Sequence, residues 1–271
     1  MKILDIYDSM MEEIQSVYRS RLLIQILLSL FEGDKTLAQL REITGSTSQA
    51  IIPKIRILES ADYITMIDYE YRLSPLGRIL AGKIYDHVRT TGSIKRHQHF
   101  FSDHYLEGIP APFLSDIGDL YDSRIISDTN VEIFNVFFNF IRMVTEGSRI
   151  CILTPISSPA HTEAIAKRVL EGVPVDLVVG KELAVQLFQK GYIETIRPVL
   201  DTGYNLKIRV TEQKIPVGLT VTDKGLSLGL YRNDGITFDT TTDLFSEDPA
   251  AVSWGQRLFN FYLEDAEPLQ Y

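Results

Sequence analysis

Apolar positions recur with a helical period in some stretches of the chain and a strand period in others, and the order of the switches outlines the fold. Thr36-Leu37-Ala38-Gln39-Leu40-Arg41-Glu42-Ile43 has the pattern of a short amphipathic helix, and Thr44-Gly45-Ser46 is a turn. Thr47, an N-cap residue type, then opens a second helix predicted to run to Glu59. Counting from it, Ile51, Ile55 and Leu58 fall on one apolar stripe, with Ser48, Gln49, Ile52, Pro53 and Arg56 on the opposite face. Pro53 removes a backbone donor inside this helix and predicts a kink. Two strand-like runs, Tyr63 to Ile67 and Tyr71 to Ser74, flank a polar tip at Asp68-Tyr69-Glu70, and Ser74-Pro75 has the form of an N-cap and first helical residue. The order is helix, turn, helix, wing.

Helical stripes lie on either side. Ile14 to Phe31 is apolar over most of its surface, and Pro75 to about Val88 carries Leu76, Ile79, Leu80, Ile84 and Val88. Such helices either pack within one chain or form the scaffold through which two chains pair. Thr90-Thr91-Gly92-Ser93 interrupts the helical pattern, and Ile109-Pro110-Ala111-Pro112 marks a rigid connection. A boundary near residue 105 follows, with domains 1–104 and 105–271.

Beyond it, Phe113 to Leu120 and Val131 to Val144 are predicted helices. Phe134, Phe137, Phe138 and Ile141 give the second a broad apolar stripe, suited to a core, an interface or the wall of an apolar pocket. Strand and helix then alternate: Ile150 to Thr154, Pro159 to Glu171, Val173 to Val179, Lys181 to Lys190 and Leu206 to Val210. That order predicts parallel strands. Val217 to Thr222 and Gly225 to Tyr231 form a hairpin about Asp223-Lys224, and Pro249 to Leu263 is a closing helix. The expected fold class is α/β overall: a winged helix-turn-helix with a small hairpin wing, then an α/β sensor-like domain with a mixed sheet.

Charge qualifies this picture. The net formal charge is −9, but residues 1–105 carry 13 Lys and Arg against 13 Asp and Glu, and residues 106–271 carry 14 against 23. A neutral head has little sequence-independent attraction to DNA, so binding to double-stranded DNA is expected to need a specific site and a homodimer. The candidate contacts are Thr47, Ser48, Gln49, Ile52, Lys54 and Arg56 on the second helix, and Tyr69 and Arg72 on the wing. Hydroxyl and amide groups can read base edges or phosphates, Ile52 can meet a thymine methyl, and the cations pair with phosphates. The most apolar stretch, Leu22 to Phe31, is too short to cross a membrane, and acidic residues crowd the N-terminus where a signal peptide would be basic. A cytoplasmic location is expected.

Chemistry-bearing motifs are sparse. Cys151 lies in a strand-like apolar run and is expected to be inert. His97, His99 and His104 with Asp103 form a solvated linker or a weak metal-ligand set, with Lys95 and Arg96 opposing a cation. Neither G-x-G-x-x-G, the Walker A loop nor H-E-x-x-H is present, and no cofactor is expected. Thr154, Ser157, Ser158 and His161 stand where a parallel strand ends and a helix begins, a usual ligand position in α/β folds. Helix capping by Ser158, an effector site suited to an anion, and a serine-histidine catalytic pair are the three readings.

Thr47-Ser48, Leu58-Glu59-Ser60-Ala61-Asp62-Tyr63-Ile64 and Tyr71-Arg72-Leu73-Ser74-Pro75-Leu76-Gly77 resemble the recognition helix and wing of archaeal and bacterial winged-helix regulators, with Asp62 where most members have Gly. Ile109-Pro110, Ile117-Gly118-Asp119-Leu120, the Val217 to Leu230 hairpin, Asp243 to Pro249 and Trp254-Gly255 with Leu258-Phe259 resemble the middle domain of the archaeal methanogenesis regulatory family. The resemblance implies a transcriptional regulator whose second domain senses a small-molecule effector or mediates regulatory contacts. The second half is also similar to one repeat of the phospholipase D-like fold, but Pro216-Val217-Gly218 stands where that fold carries its H-x-K motif. The alternative is therefore an enzyme or nucleic-acid-processing module with an accessory winged helix, and the missing motif argues against phosphodiesterase chemistry.

Overall fold

The computed structural model describes residues 2–189, 192–202 and 205–269. It divides into two units between Val88 and Arg89, each described by itself below.

The first unit begins with α1 (Ile3–Ser9), α2 (Met11–Tyr18) and α3 (Arg21–Phe31). The predicted helix from Ile14 to Phe31 is thus broken. Ser20 adopts an extended conformation and its hydroxyl accepts the Leu23 N–H, so it caps a new helix. On α3, Leu23, Ile26, Leu27 and Leu30 are buried together with Leu40, Ile51, Ile55 and Leu58, which makes its apolar surface mainly an intrachain core. Next come β1 (Lys35–Thr36), α4 (Leu37–Thr44), α5 (Ser48–Ser60), β2 (Ile64–Ile67), β3 (Glu70–Leu73) and α6 (Pro75–Arg96). Thr36 and Gln39 form a capping box at the start of α4, and Gly45 ends it in the left-handed region at φ 63°.

Helix α5 runs through Pro53 and buries the predicted stripe of Ile51, Ile55 and Leu58. It ends in a Schellman turn: Asp62 has φ 57°, the Tyr63 N–H reaches the Leu58 carbonyl and the Asp62 N–H reaches Glu59. Asp62 therefore does the work of the glycine usual there. In the wing, β2 and β3 pair antiparallel with Ile67 opposite Glu70, leaving a two-residue tip at Asp68 and Tyr69. Both have positive φ, 51° and 66°, the geometry of a type I′ turn reached without glycine. The short β1 adds to the other edge of β3, a strand too brief to show in the apolar pattern.

The Thr90-Thr91-Gly92-Ser93 stretch does not interrupt α6. Gly92 lies under the Tyr121 ring, where a Cβ would come within 2.8 Å of the ring edge, so the glycine answers packing rather than a break in the chain. The predicted solvated linker is likewise absent. His97 is buried in the second unit with Nε2 3.1 Å from the Leu120 carbonyl, and buried His104 sets Nδ1 2.6 Å from the Phe100 carbonyl. Burial lowers the His97 pKa. Among the described residues no group of His, Cys, Asp and Glu could hold a metal ion.

The second unit continues with α7 (Gln98–Asp103), α8 (Ala111–Ser115), β4 (Arg124–Ser127), α9 (Asn135–Glu146), β5 (Ile150–Thr154), α10 (Pro159–Leu170), β6 (Val175–Gly180), α11 (Lys181–Leu187), α12 (Ile193–Thr202), β7 (Leu206–Thr211), β8 (Val217–Thr222), β9 (Leu226–Tyr231), β10 (Phe238–Ser246), α13 (Pro249–Glu264) and β11 (Glu267–Pro268). Eight strands form one sheet in the order β11-β7-β6-β5-β8-β9-β10-β4. Strands β5, β6 and β7 are mutually parallel, and every other pair is antiparallel. The mixed sheet expected from alternation followed by a hairpin is therefore observed.

Side chains leave β5 alternately for two cores. Cys151 and Leu153 join Trp254, Leu258 and Phe259 of α13, whereas Ile150 and Ile152 join the helices of the other face. Trp254 donates its indole N–H to the Phe113 carbonyl at 3.0 Å. Cys151 is buried, and that burial raises its thiol pKa, as expected of an inert cysteine. Strand β10 was not foreseen, because polar residues such as Asp239, Thr241 and Asp243 hide its apolar face, and β4, only four residues long, was missed as well. Helix α9 starts four residues later than predicted from its apolar run: Phe134 sits at φ 70° and closes a turn before it. The end of the predicted Lys181 to Lys190 helix lies outside the described residues at Lys190. Among the described residues, no helix is long and apolar enough to cross a membrane.

Candidate functional site

Two surfaces gather the sequence-predicted residues. On α5, Thr47, Gln49, Ile52 and Arg56 are exposed, while Ser48 and Lys54 on its flanks are half-buried. The buried stripe fixes the helix against α3 and α4, and this leaves the polar face outward. Arg56 is paired with Glu59 at 2.9 Å, and Arg72 with Asp34 at 2.8 Å. Both are surface pairs worth about 0 to 1 kcal/mol, so exchanging them for phosphate costs little. Tyr69 projects from the wing tip at 87% exposure. Met66 and Ile67, also exposed on the wing, were not foreseen from the sequence.

The second surface encloses a cavity of about 670 Å³ within the second unit. That volume lies in the usual range for small-molecule sites. All four predicted residues, Thr154, Ser157, Ser158 and His161, line it. Their polar groups are largely spent on local structure. Ser158 caps α10 by accepting the His161 N–H, and its hydroxyl lies 2.6 Å from His161 Nδ1. Thr154 donates to the Ile156 carbonyl at 2.6 Å, and the Ser157 hydroxyl lies 3.2 Å from that of Thr162. His161 packs between Phe137 and Phe140, with ring centroids 5.0 and 4.6 Å away. Burial lowers its pKa, which keeps the ring neutral near pH 7.

The aromatic residues of α9 therefore wall a cavity rather than fill a core. Phe134, Phe137 and Phe138 belong to the lining, with Phe140 taking the place expected for Ile141. The opposite wall comes from β8, β9 and β10 and is acidic. Asp239 and Asp243 of β10 line it, Asp128 just past β4 completes the charged lining of the cavity, and no Lys or Arg lines the cavity among the described residues. Asp239 accepts the Thr241 N–H and hydroxyl at 2.9 and 2.6 Å, and has Arg232 and His104 each at 3.3 Å. Burial alone would raise its carboxyl pKa, but those hydrogen bonds and cations outweigh it and hold the pKa below the usual value.

Asp243 is in a different situation. It accepts one hydrogen bond, from the Ser227 hydroxyl at 2.7 Å, and forms no salt bridge among the described residues. Burial, reinforced by the charges of Asp239 and Asp128, pushes its pKa up to about 6. Room for it comes from a glycine pair, Gly218 opposite Gly229 across β8 and β9. A Cβ on Gly229 would fall 2.7 Å from Asp243 Oδ1, and one on Gly218 would fall 2.6 Å from the Phe238 ring. Gly218 thus leaves room for an aromatic ring. The acidic wall was missed because β10 was missed. Its signal is Asp239 and Asp243 in one short stretch rich in Asp and Thr.

The N-terminal domain of methanogenesis regulatory protein FilR1 matches residues 11–90, and the middle domain of the same protein matches residues 133–265. The chain belongs to this family. Methanogenesis regulatory protein FilR1 of Methanothrix harundinacea (strain 6Ac) is 23% identical over 262 residues, covering 96% of this chain and 58% of that protein. This member of the FilR1 family thus spans a little over half the length of the curated relative it matches. Among solved structures, TrmBL2, an archaeal chromatin protein, is 19% identical, with 96% of this chain and 99% of that one covered and a TM-score of 0.42. Nuc from Salmonella typhimurium, a phospholipase D family member, is 9% identical over 55% of this chain and 98% of its own, also with a TM-score of 0.42.

Proposed function

We propose that this protein is a cytoplasmic transcriptional regulator that binds double-stranded DNA as a homodimer and carries a small-molecule effector site in its second unit. The observation that carries the reading is the exposed polar face of α5, Thr47, Gln49 and Arg56, presented beside a two-stranded wing. A helix so held enters the major groove, where Gln reads adenine and Arg reads guanine or phosphate, while the wing tip reaches backbone. Membership of a family of methanogenesis regulatory proteins supports a regulatory role. Pairing of two chains is supported by the exposed apolar side chains of α1 and α2, among them Ile3, Leu4, Ile6, Tyr7 and Ile14.

The test is fluorescence anisotropy on DNA from upstream of the protein's own gene. Replacing Gln49 and Arg56 together by Ala is expected to weaken binding at least tenfold, since one good base contact contributes about 1 to 3 kcal/mol of discrimination. Affinity should also fall with salt, by a slope of about 0.9 per phosphate neutralised. Unchanged binding by the double variant would overturn the assignment of α5 as the reading helix.

A further inference from the structure

The proposed effector site has a chemical character that its serines and helix terminus do not suggest. An anion was the natural expectation at the start of α10. The cavity itself argues the opposite, because its charged lining consists of three carboxylates with no Lys or Arg among the described residues. His161, the remaining titratable group of the lining, is flanked by Phe137 and Phe140 and adds no positive charge near neutral pH.

The three carboxylates are not equivalent. Asp239 is supplied with Thr241, Arg232 and His104, and Asp128 accepts the Val136 N–H at 3.1 Å. Asp243 has the Ser227 hydroxyl on one oxygen, and its other oxygen lies over Gly229 at the cavity wall. A carboxylate held in an apolar enclosure without a cation is costly, and a ligand cation at that point would remove the cost. Around it the wall is aromatic. Phe238 lies over the Gly218 and Gly229 pair, and Phe137, Phe138 and Phe140 line the α9 side. Aromatic faces attract cations as well as apolar surface. A bare metal ion finds no fit, since it would require several oxygen ligands converging on one point.

We propose that the cavity binds an organic cation: a protonated amine seated against the Asp243 carboxylate, with an apolar or aromatic body lying among Phe137, Phe140 and Phe238. The assignment rests on the reading of the cavity as a ligand site and adds to it the charge and shape of the occupant. The glycine pair is part of the recognition. It opens the floor of the sheet so that a carboxylate and a ring can both reach the ligand.

The experiment uses the full-length protein and three fluorescent probes that share a dansyl body on a pentyl chain and differ at the end: ammonium, hydroxyl or carboxylate. Dansyl emission reports entry into an apolar site. The ammonium probe is expected to bind at least tenfold more tightly than the hydroxyl probe, and the carboxylate probe most weakly. Asp243→Asn should remove the ammonium preference while leaving the hydroxyl probe within threefold of its original affinity. Ile165→Trp, which fills the cavity from α10, should weaken all three, with circular dichroism verifying that both variants fold. Binding of the hydroxyl probe with no preference for ammonium would overturn the cation assignment and leave the ligand site standing. Failure of all three probes to bind would overturn both. An ammonium preference that survives in Asp243→Asn would overturn the role of that carboxylate.

Discussion

Two glycines on α6 should respond oppositely to the same substitution. Gly77, buried in the first turn of the helix beside the wing, lies so near the Tyr63 backbone that a Cβ would come 1.8 Å from its carbonyl oxygen. That oxygen already accepts the Ser74 N–H at 2.9 Å, and the Ser74 hydroxyl accepts the Gly77 N–H at 3.0 Å, so helix start and wing are fastened at one point. Gly82, one and a half turns on, would place its Cβ 3.7 Å from the Phe31 ring, an ordinary contact. Alanine in a helix is favoured over glycine by about 1 kcal/mol. For Gly82→Ala that gain stands alone, and about 1 kcal/mol of added stability is expected. For Gly77→Ala it is opposed by about 1 to 3 kcal/mol of overpacking and about 1 kcal/mol for the strained hydrogen bond, so a net loss of about 2 kcal/mol is expected. Urea unfolding followed by circular dichroism separates the two. With a slope of about 2 kcal/mol per molar, the midpoints of the variants should differ by about 1.5 M. A Gly77→Ala midpoint at or above that of the unmodified protein would refute the reasoning, because the close approach would then be one the wing can relax away.

Asp243 makes stability depend on pH with a definite sign. Its pKa in the folded protein is raised to about 6, so the folded state holds a proton the unfolded state has lost, and stability is greatest below pH 4 on this account and declines as pH rises to about 6. Asp243→Asn should flatten that decline and raise stability at pH 7 by on the order of 2 kcal/mol, read from urea midpoints across pH 4 to 7; a variant that keeps the decline would place its origin elsewhere. Tyr69 holds a left-handed conformation while 87% exposed, so Tyr69→Gly should add about 1 kcal/mol of stability yet weaken DNA binding through loss of the wing tip. A less stable Tyr69→Gly protein would mean that the ring makes contacts which outweigh the strain.

Much of the first unit was legible because its determinants are local. Gly45, the Thr36 and Gln39 capping box and the Ile51, Ile55, Leu58 stripe each act within a turn or two of chain. Ser20 is as local, but a polar cap between apolar turns is masked when the surrounding helix is read as one stripe. In the second unit the parallel strands and the Val217 to Leu230 hairpin declared themselves through continuous apolar runs. Strand β10 did not. Its outward and cavity-facing positions are Asp and Thr, and its pairing with β9 shifts register between Phe238 and Asp243. Thr154, Ser157, Ser158 and His161 could be placed together because a strand end followed by a helix start is visible in one dimension. The carboxylates across the cavity could not, since Asp128 stands far along the chain from Asp239 and Asp243, and all three stand far from α10.

The sequence by itself therefore determined the order of elements, the exposed polar face of α5, the parallel half of the sheet and one wall of the cavity, all through contacts between residues close in the chain or through strong apolar periodicity. Tertiary structure decided what periodicity cannot express. It decided among core, interface and pocket wall for the Phe134 to Phe140 segment, changed Gly92 from a break in a pattern into a point of close approach, and set a carboxylate without a salt bridge in the second unit. The physical reason is that charge and free volume belong to a place in space, and residues far apart in the chain build that place together.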